Sequence, residues 1–198
     1  ARRGGTSGCV ETGPFGNEAY ILTGYFNLPK ILELTLYNGY DIVSKKQIGL
    51  PLGYAKDFKS YEELYDAYKK QIEYLVNIKL EGSNVIEKIY ADYMPAPFLS
   101  IITNDCISKG KDYNAGGARY NTNYLQGVGI GTITDSLAAI KYNVFDEKKF
   151  TMEDLIEAME ANFEGHEMIA NLVRNKTPKY GNDDDYADDI MKDVFNFY

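Results

Sequence analysis

Apolar residues recur at helical spacing along most of this chain, and the gaps in that rhythm mark where other structure must lie. Ile31, Leu32, Leu34 and Leu36 follow Asn27 and Pro29, a helix-start signal, and Asn38-Gly39 supplies the stop. A longer stripe of Leu64, Tyr65, Tyr68, Ile72, Leu75 and Val76 is preceded by Ser60 and Glu63, which form a capping box. It predicts a helix to about Leu80. A second helical run, Asn84 to Tyr93, ends before Met94-Pro95-Ala96-Pro97, where proline bars continuation. Phe98 to Cys106 is apolar and reads as helix, and so does Asp135 to Tyr142. Thr151, with Asp154 in the first turn, caps a run that continues to about Val173, and Tyr186 to Phe195 is a final amphipathic helix.

The intervening stretches carry turn chemistry. Residues 1–26 read as loop, closing in the apolar stretch Tyr20–Phe26, and residues 40–58 as a turn-rich connection with room for a short hairpin. Lys109 to Gln126 is a loop rich in Gly, Asn and Tyr; Val128 to Ile133 suits a short strand; residues 174–185 are loop. There is no internal repeat and no linker. The expectation is a helix-rich α/β fold with few strands, undivided over residues 1–198.

Composition narrows the class. A hydrophobic content of 44% and a charged content of 25% belong to a soluble globular protein. A formal charge of −8 argues against nonspecific binding to nucleic acid or anionic membrane. No apolar run approaches the ~20 residues needed to span a bilayer. Two cysteines, Cys9 and Cys106, are too few for a disulfide framework, so a reducing cytoplasm is the expected setting. His166 is the only histidine and no C-x-x-C pair exists, so no metal site is expected.

Candidate chemistry concentrates near the start. In Gly8-Cys9-Val10-Glu11 a thiol and a carboxylate stand two residues apart, a spacing that points both to the same side of an extended or tightly looped backbone. Gly4, Gly5, Gly8, Gly13 and Gly16 crowd this stretch. A neighbouring carboxylate raises a thiol's pKa, which argues against an ordinary thiolate nucleophile. On the residues alone, Cys9 is either a small buried hydrophobe or a reactive group. Cys106, in an apolar run, reads as a buried thiol. Asn182-Asp183-Asp184-Asp185 lacks the alternation, glycine and glutamate of an EF-hand, and helix capping by Asp185 is the better account. Gly127-Val128-Gly129-Ile130-Gly131 has neither the spacing nor the lysine of a phosphate loop, and reads as a strand packed closely on another backbone.

Longer blocks carry a family resemblance. Ser7-Gly8-Cys9-Val10-Glu11-Thr12-Gly13, then Glu18-Ala19-Tyr20-Ile21-Leu22-Thr23-Gly24-Tyr25 and Asn27-Leu28-Pro29-Lys30, resemble the cysteine loop of glycyl radical enzymes, the pyruvate formate-lyase-like superfamily. G-C-V-E is the hallmark of the eliminase branch. The likeness continues through Gly110 to Asn114, Gly116 to Asn121, Gly127 to Gly129, Thr134 to Lys141 and Tyr180 to Asp185. Pyruvate formate-lyase itself carries two adjacent cysteines in this loop, whereas here Gly8 precedes Cys9.

The resemblance implies that residues 1–198 are a single partial domain, the C-terminal part of a ten-stranded α/β barrel with its cysteine loop at residues 1–26. It also implies a thiyl radical on Cys9, with Glu11 moving the proton that leaves with hydroxide as water. Such work near neutral pH needs a carboxyl pKa raised by a dry pocket. It also implies a substrate contact at Tyr25 and a small hydroxyproline-like substrate, with glycerol, propanediol or choline as alternatives. Asn17 departs from the lysine expected there. Beyond this chain, it implies a backbone glycyl radical installed by a radical S-adenosylmethionine activating enzyme, in an anaerobic homodimer. The R-V-x-G-Y pattern of the radical loop does not occur in these 198 residues. With its start at Ala1, the chain reads as an internal fragment of a longer enzyme or as a non-catalytic truncated remnant.

Overall fold

The computed structural model describes residues 4–7 and 11–198, the side chains of Ser7, Glu11 and Leu22 excepted. Contacts gather the chain into two units, residues 1–25 with 78–126 and residues 26–77 with 127–198.

The second unit holds the larger core. Helix α1 (Leu28–Leu36) begins where expected: the Asn27 side chain accepts from the Lys30 N–H at 3.1 Å and proline occupies its first turn. Asn38 and Gly39, at φ 55° and 80°, turn the chain out of it. A side chain at Gly39 would also meet the Leu50 carbonyl at 2.5 Å, so glycine is required there. Helix α2 (Tyr61–Tyr93) sends Leu64, Tyr68 and Ile72 into the core beside Leu28, Ile31, Leu32 and Leu36. The first half of the predicted box forms, with Ser60 Oγ accepting from Glu63 N–H, but the Glu63 carboxylate reaches Lys59 N–H at 2.7 Å instead of Ser60.

Strands β4 (Tyr40–Asp41) and β5 (Lys46–Gln47) make the short hairpin in the 40–58 connection. Buried Gln71 pins that connection to α2, accepting from Leu50 N–H at 2.8 Å and donating to its carbonyl. Helices α5 (Ile130–Ile140), α6 (Met152–Glu160), α7 (Glu167–Asn175) and α8 (Asp185–Phe197) complete the unit. A π-helical turn, Lys141–Asp146, extends α5.

In the first unit, β1 (Gly4–Ser7) and β2 (Glu11–Pro14) pair antiparallel, and a long strand β3 (Glu18–Asn27) pairs with β6 (Tyr120–Val128). The second half of α2, α3 (Pro97–Ile102) and α4 (Cys106–Lys109) accompany them. Cys106 is 1% exposed among Ala19, Ala118 and Tyr113, the buried thiol that was expected.

Several expected boundaries moved. The described residues of 1–26 are mostly strand, since Tyr20, Ile21, Thr23, Tyr25 and Phe26 are strand formers once a partner is present. That partner lies in the 109–126 stretch read as loop. The strand expected at 128–133 is the start of α5: Gly129, at φ 89°, ends β6, and its carbonyl accepts from Ile133 N–H. The apolar faces of Ile133 and Leu137 then outweigh the modest helix propensity of β-branched residues. Gly127 and Gly129 face the Tyr198 ring and the Pro29 ring, at 2.8 and 2.6 Å from an added Cβ, not another backbone.

The runs to Leu80 and from Asn84 are one helix because buried Ser83 bonds to Lys79 and Thr23 instead of competing for its own backbone. Left-handed Asp105 divides α3 from α4, and left-handed Asn162, Phe163 and Gly165 divide α6 from α7. The α8 cap is Asp184, which accepts from Tyr186 N–H at 3.0 Å; Asp185 sits in the first turn.

Candidate active site

The β1–β2 hairpin flanks the candidate residues in the chain. Its register runs Gly4↔Pro14, Gly5↔Gly13, Thr6↔Thr12 and Ser7↔Glu11, so Glu11 opens β2 at the last pair before the connection. Cys9 is the middle residue of that three-residue connection and lies outside the described residues. Of Glu11, the backbone position is described.

The hairpin rests on side chains from β3 and β6. An added Cβ at Gly13 would lie 2.0 Å from the Tyr20 hydroxyl and 2.1 Å from Glu18 Oε2, so β2 passes directly over these two groups. Thr122 donates to Glu18 Oε1 at 2.6 Å. The Tyr124 hydroxyl lies 3.2 Å from the same oxygen and 3.3 Å from the Thr12 carbonyl of β2. The Tyr124 ring stacks on Tyr20, with centroids 5.2 Å apart. Beyond the hairpin, Asn17 donates through Nδ2 to the Phe15 carbonyl and accepts from Asn104 Nδ2, a local turn role for the residue that departs from lysine.

Tyr25 is 64% exposed on β3, and among the described residues its hydroxyl has no hydrogen-bond partner. The strand just before it is held firmly. Thr23 Oγ1 lies 2.7 Å from Ser83 Oγ and donates to Asn123 Oδ1, while Lys79 Nζ donates to the Thr23 carbonyl at 2.8 Å and to Ser83 Oγ. Gly24 between them, at φ 145°, leaves room for the Lys79 stem, which an added Cβ would approach to 3.1 Å.

The downstream blocks support this frame. Asp112 accepts from Ala96 N–H, Ser100 Oγ and Asn114 N–H; burial pushes its pKa up, and these donors outweigh that and hold it below the ordinary carboxylate range. The Tyr113 hydroxyl accepts from Tyr20 N–H at 2.8 Å. Gly117 admits no side chain, since a Cβ there would meet the Lys111 carbonyl at 2.2 Å and Cys106 Sγ at 2.9 Å. Arg119 grips Asp105 through two nitrogens, at 3.0 and 2.9 Å. Burial pushes the Cys106 thiol pKa up, which suits an inert packing residue.

Among the described residues, no group of three or more His, Cys, Asp and Glu side chains could hold a metal ion, and no helix is long and apolar enough to cross a membrane. A cavity of about 320 Å³ opens among α1, α5 and α6, lined by Leu32, Leu36, Ile140, Leu155, Met159 and Phe163 among others. It includes none of the candidate residues.

Sequence reasoning assigned no role to Glu18, Tyr113, Thr122 or Tyr124. The signal for the last two was present: Tyr120, Thr122 and Tyr124 alternate with Asn121, Asn123 and Leu125, the period of a strand. The glycines and asparagines around them masked it.

The family model for pyruvate formate lyase-like proteins matches residues 1–198 in full. The chain belongs to that family. It is 69% identical over all of its length to the trans-4-hydroxy-L-proline dehydratase of Clostridioides difficile, of which it covers 25%. The crystal structure of that dehydratase with trans-4-hydroxy-L-proline bound superposes at a TM-score of 0.95, covering 100% of this chain and 25% of the other. The glycerol-bound B12-independent glycerol dehydratase of Clostridium butyricum, 39% identical, superposes at 0.88 over the same shares. The chain thus spans about a quarter of the length of the relatives it matches, and its helix-rich α/β fold is that of the corresponding quarter of glycyl radical enzymes.

Proposed function

We propose that this chain is the cysteine-loop segment of a glycyl radical dehydratase that removes water from trans-4-hydroxy-L-proline. The observation that carries the reading is the 69% identity, over the whole chain, to a dehydratase of that name solved with that substrate bound. Glycerol is a weaker candidate, at 39% identity to its dehydratase.

In this reading a glycyl radical elsewhere in the longer protein, installed by a radical S-adenosylmethionine activating enzyme, supplies the acceptor for a hydrogen atom. Cys9 gives up its S–H hydrogen atom, and the resulting thiyl takes one from the substrate carbon adjacent to the amine or hydroxyl. The neighbouring C–O bond then breaks. Glu11 carries a proton that the substrate gives up to the departing hydroxide, which leaves as water. Cys9 then returns a hydrogen atom to the carbon skeleton and regains one from the glycine, which restores the glycyl radical. Because hydrogen-atom transfer uses the neutral thiol, an acidic neighbour that disfavours the thiolate does no harm. Tyr25 presents an open hydroxyl that can hydrogen-bond a ring substituent of the substrate. The reading extends to a cytoplasmic, anaerobic homodimer.

The test is Cys9→Ser in the full-length protein. Serine's stronger O–H bond makes it a poor hydrogen-atom relay, so the variant should accept a glycyl radical, seen by electron paramagnetic resonance, and form no product from trans-4-hydroxy-L-proline. Turnover at the unsubstituted rate would refute the thiyl role. Turnover of glycerol, propanediol or choline, but not hydroxyproline, by the unsubstituted enzyme would reassign the substrate.

A further inference from the structure

We propose that Glu18 and Tyr124, with Thr122, are positioning residues that set the height and tilt of the hairpin carrying Cys9 and Glu11; this rests on the function proposed above. Three observations converge on it. The backbone of β2 comes so close at Gly13 that a single added carbon would collide with Glu18 Oε2 and the Tyr20 hydroxyl. The Tyr124 hydroxyl sits between the Thr12 carbonyl of β2 and the Glu18 carboxylate, and so ties the hairpin to β6. Thr122 shares its hydroxyl between Glu18 Oε1, at 2.6 Å, and the Ala19 carbonyl, at 3.2 Å, which fixes the carboxylate against β3.

The chemistry of the donors suits the task. Hydrogen bonds to a carboxylate are shorter and stronger than those between neutral groups. A stacked tyrosine pair with two rotatable angles per side chain adds stiffness at low entropic cost. Glu18 is therefore an anchor for a glycine-rich hairpin that has few side chains of its own with which to hold position. Gly13 contributes by its smallness. It lets the strand settle onto the anchor, two residues from Glu11 and four from Cys9 in sequence.

Hydrogen-atom transfer requires the reacting atoms about 3–3.5 Å apart, and a misplacement of about 1 Å can cost about 10²-fold in rate. Loosening the anchor should therefore slow chemistry without weakening substrate binding. In the full-length enzyme, Tyr124→Phe keeps the stacked ring and removes the hydroxyl, and Thr122→Val removes the other donor. Each should lower kcat by about tenfold to 10²-fold with KM within about threefold of the parent. Glycyl radical content should be unchanged, and Thr122→Ser, which restores the hydroxyl, should recover the rate.

Amide hydrogen exchange supplies a readout independent of turnover. Exchange at Thr6, Thr12 and Gly13 should quicken in Tyr124→Phe while α5 and α8 stay protected. Unchanged kcat with unchanged hairpin exchange would overturn the proposal, as would a loss carried entirely by KM, or failure of Thr122→Ser to recover activity. Cys9→Ser run in parallel separates the two readings. If it is inactive while Tyr124→Phe is normal, the positioning role alone fails; if it is active, the function itself fails.

Discussion

Glu11 stands two residues from Cys9, on the strand whose next residues are held by Thr12 and Gly13 contacts. Its proposed work is to carry a proton, and glutamine keeps the size and most of the hydrogen bonding while removing the proton. Glu11→Gln in the full-length enzyme should therefore lower kcat by about 10² to 10⁴-fold, the usual worth of positioned acid–base catalysis, with little change in KM. Steady-state kinetics with trans-4-hydroxy-L-proline check this. A rate within about threefold of the parent would move Glu11 to a structural role. The residue scale also shows why the sequence, which singled out Glu11 by its place beside Cys9, assigned no role to Glu18. The contacts of Glu18 are with Thr122 and Tyr124, over a hundred positions away, and leave no mark in its own neighbourhood of the sequence.

At the scale of elements, Asp41 joins α1 to the β4–β5 hairpin. Its carboxylate pairs with Lys30 of α1, which also pairs with Glu33, and accepts from Ser44 N–H at 3.0 Å and Val43 N–H at 3.3 Å. The Lys30 ammonium, and then the Ser44 and Val43 donors, hold the Asp41 carboxyl well below the usual carboxylate range. A carboxylate with a depressed folded-state pKa stabilises the fold above its unfolded value of about 3.9, and that stabilisation is lost as pH falls toward the folded pKa. Asp41→Asn should therefore lower the urea midpoint at about pH 7 and differ less from the parent at about pH 3. A deficit of equal size at both pH values would show that the loss is packing, not charge. The helix starts at Asn27 and Thr151 were legible because a cap is a local bond between near neighbours. The breaks at Asp105 and Asn162 were not, because left-handed aspartate and asparagine leave no mark in an apolar pattern.

At the scale of the whole molecule, the two units differ in how much apolar surface they bury. The unit of residues 26–77 and 127–198 packs the Leu64–Ile72 stripe against α1, α5 and α8, so the stripe is covered within the chain. Among its described residues, the unit of residues 1–25 and 78–126 buries little apolar surface beyond Ala19, Cys106 and Ala118. It leaves Val85, Ile89 and Tyr93 open along one face of α2, and Phe98, Ile101 and Ile102 open on α3. Expressed as residues 1–198, the chain should therefore self-associate, seen as a large species in light scattering. Hydrogen exchange should be slow in α1, α5 and α8 and faster in β1 and β2. It should form no product from trans-4-hydroxy-L-proline even with an activating enzyme under anaerobic conditions, because Cys9 cannot generate a thiyl unaided. A monomer with uniformly slow exchange would contradict the packing argument, and a catalytically competent one the radical mechanism.

The sequence by itself determined the helices whose apolar stripes repeat every three or four residues, the caps at Asn27 and Thr151, the buried state of Cys106 and the family membership carried by the blocks from Ser7 to Asp185. Each of these is written in residues close together along the chain, or in a motif read as a unit. Tertiary structure alone decided the long strands β3 and β6. Residues 18–27 and 120–128 are ambiguous until they meet, because a strand's backbone groups are satisfied only by a partner, here about a hundred residues away. The same distance explains Glu18, Thr122 and Tyr124, whose shared hydrogen bonds under the hairpin exist only after β3 and β6 have paired.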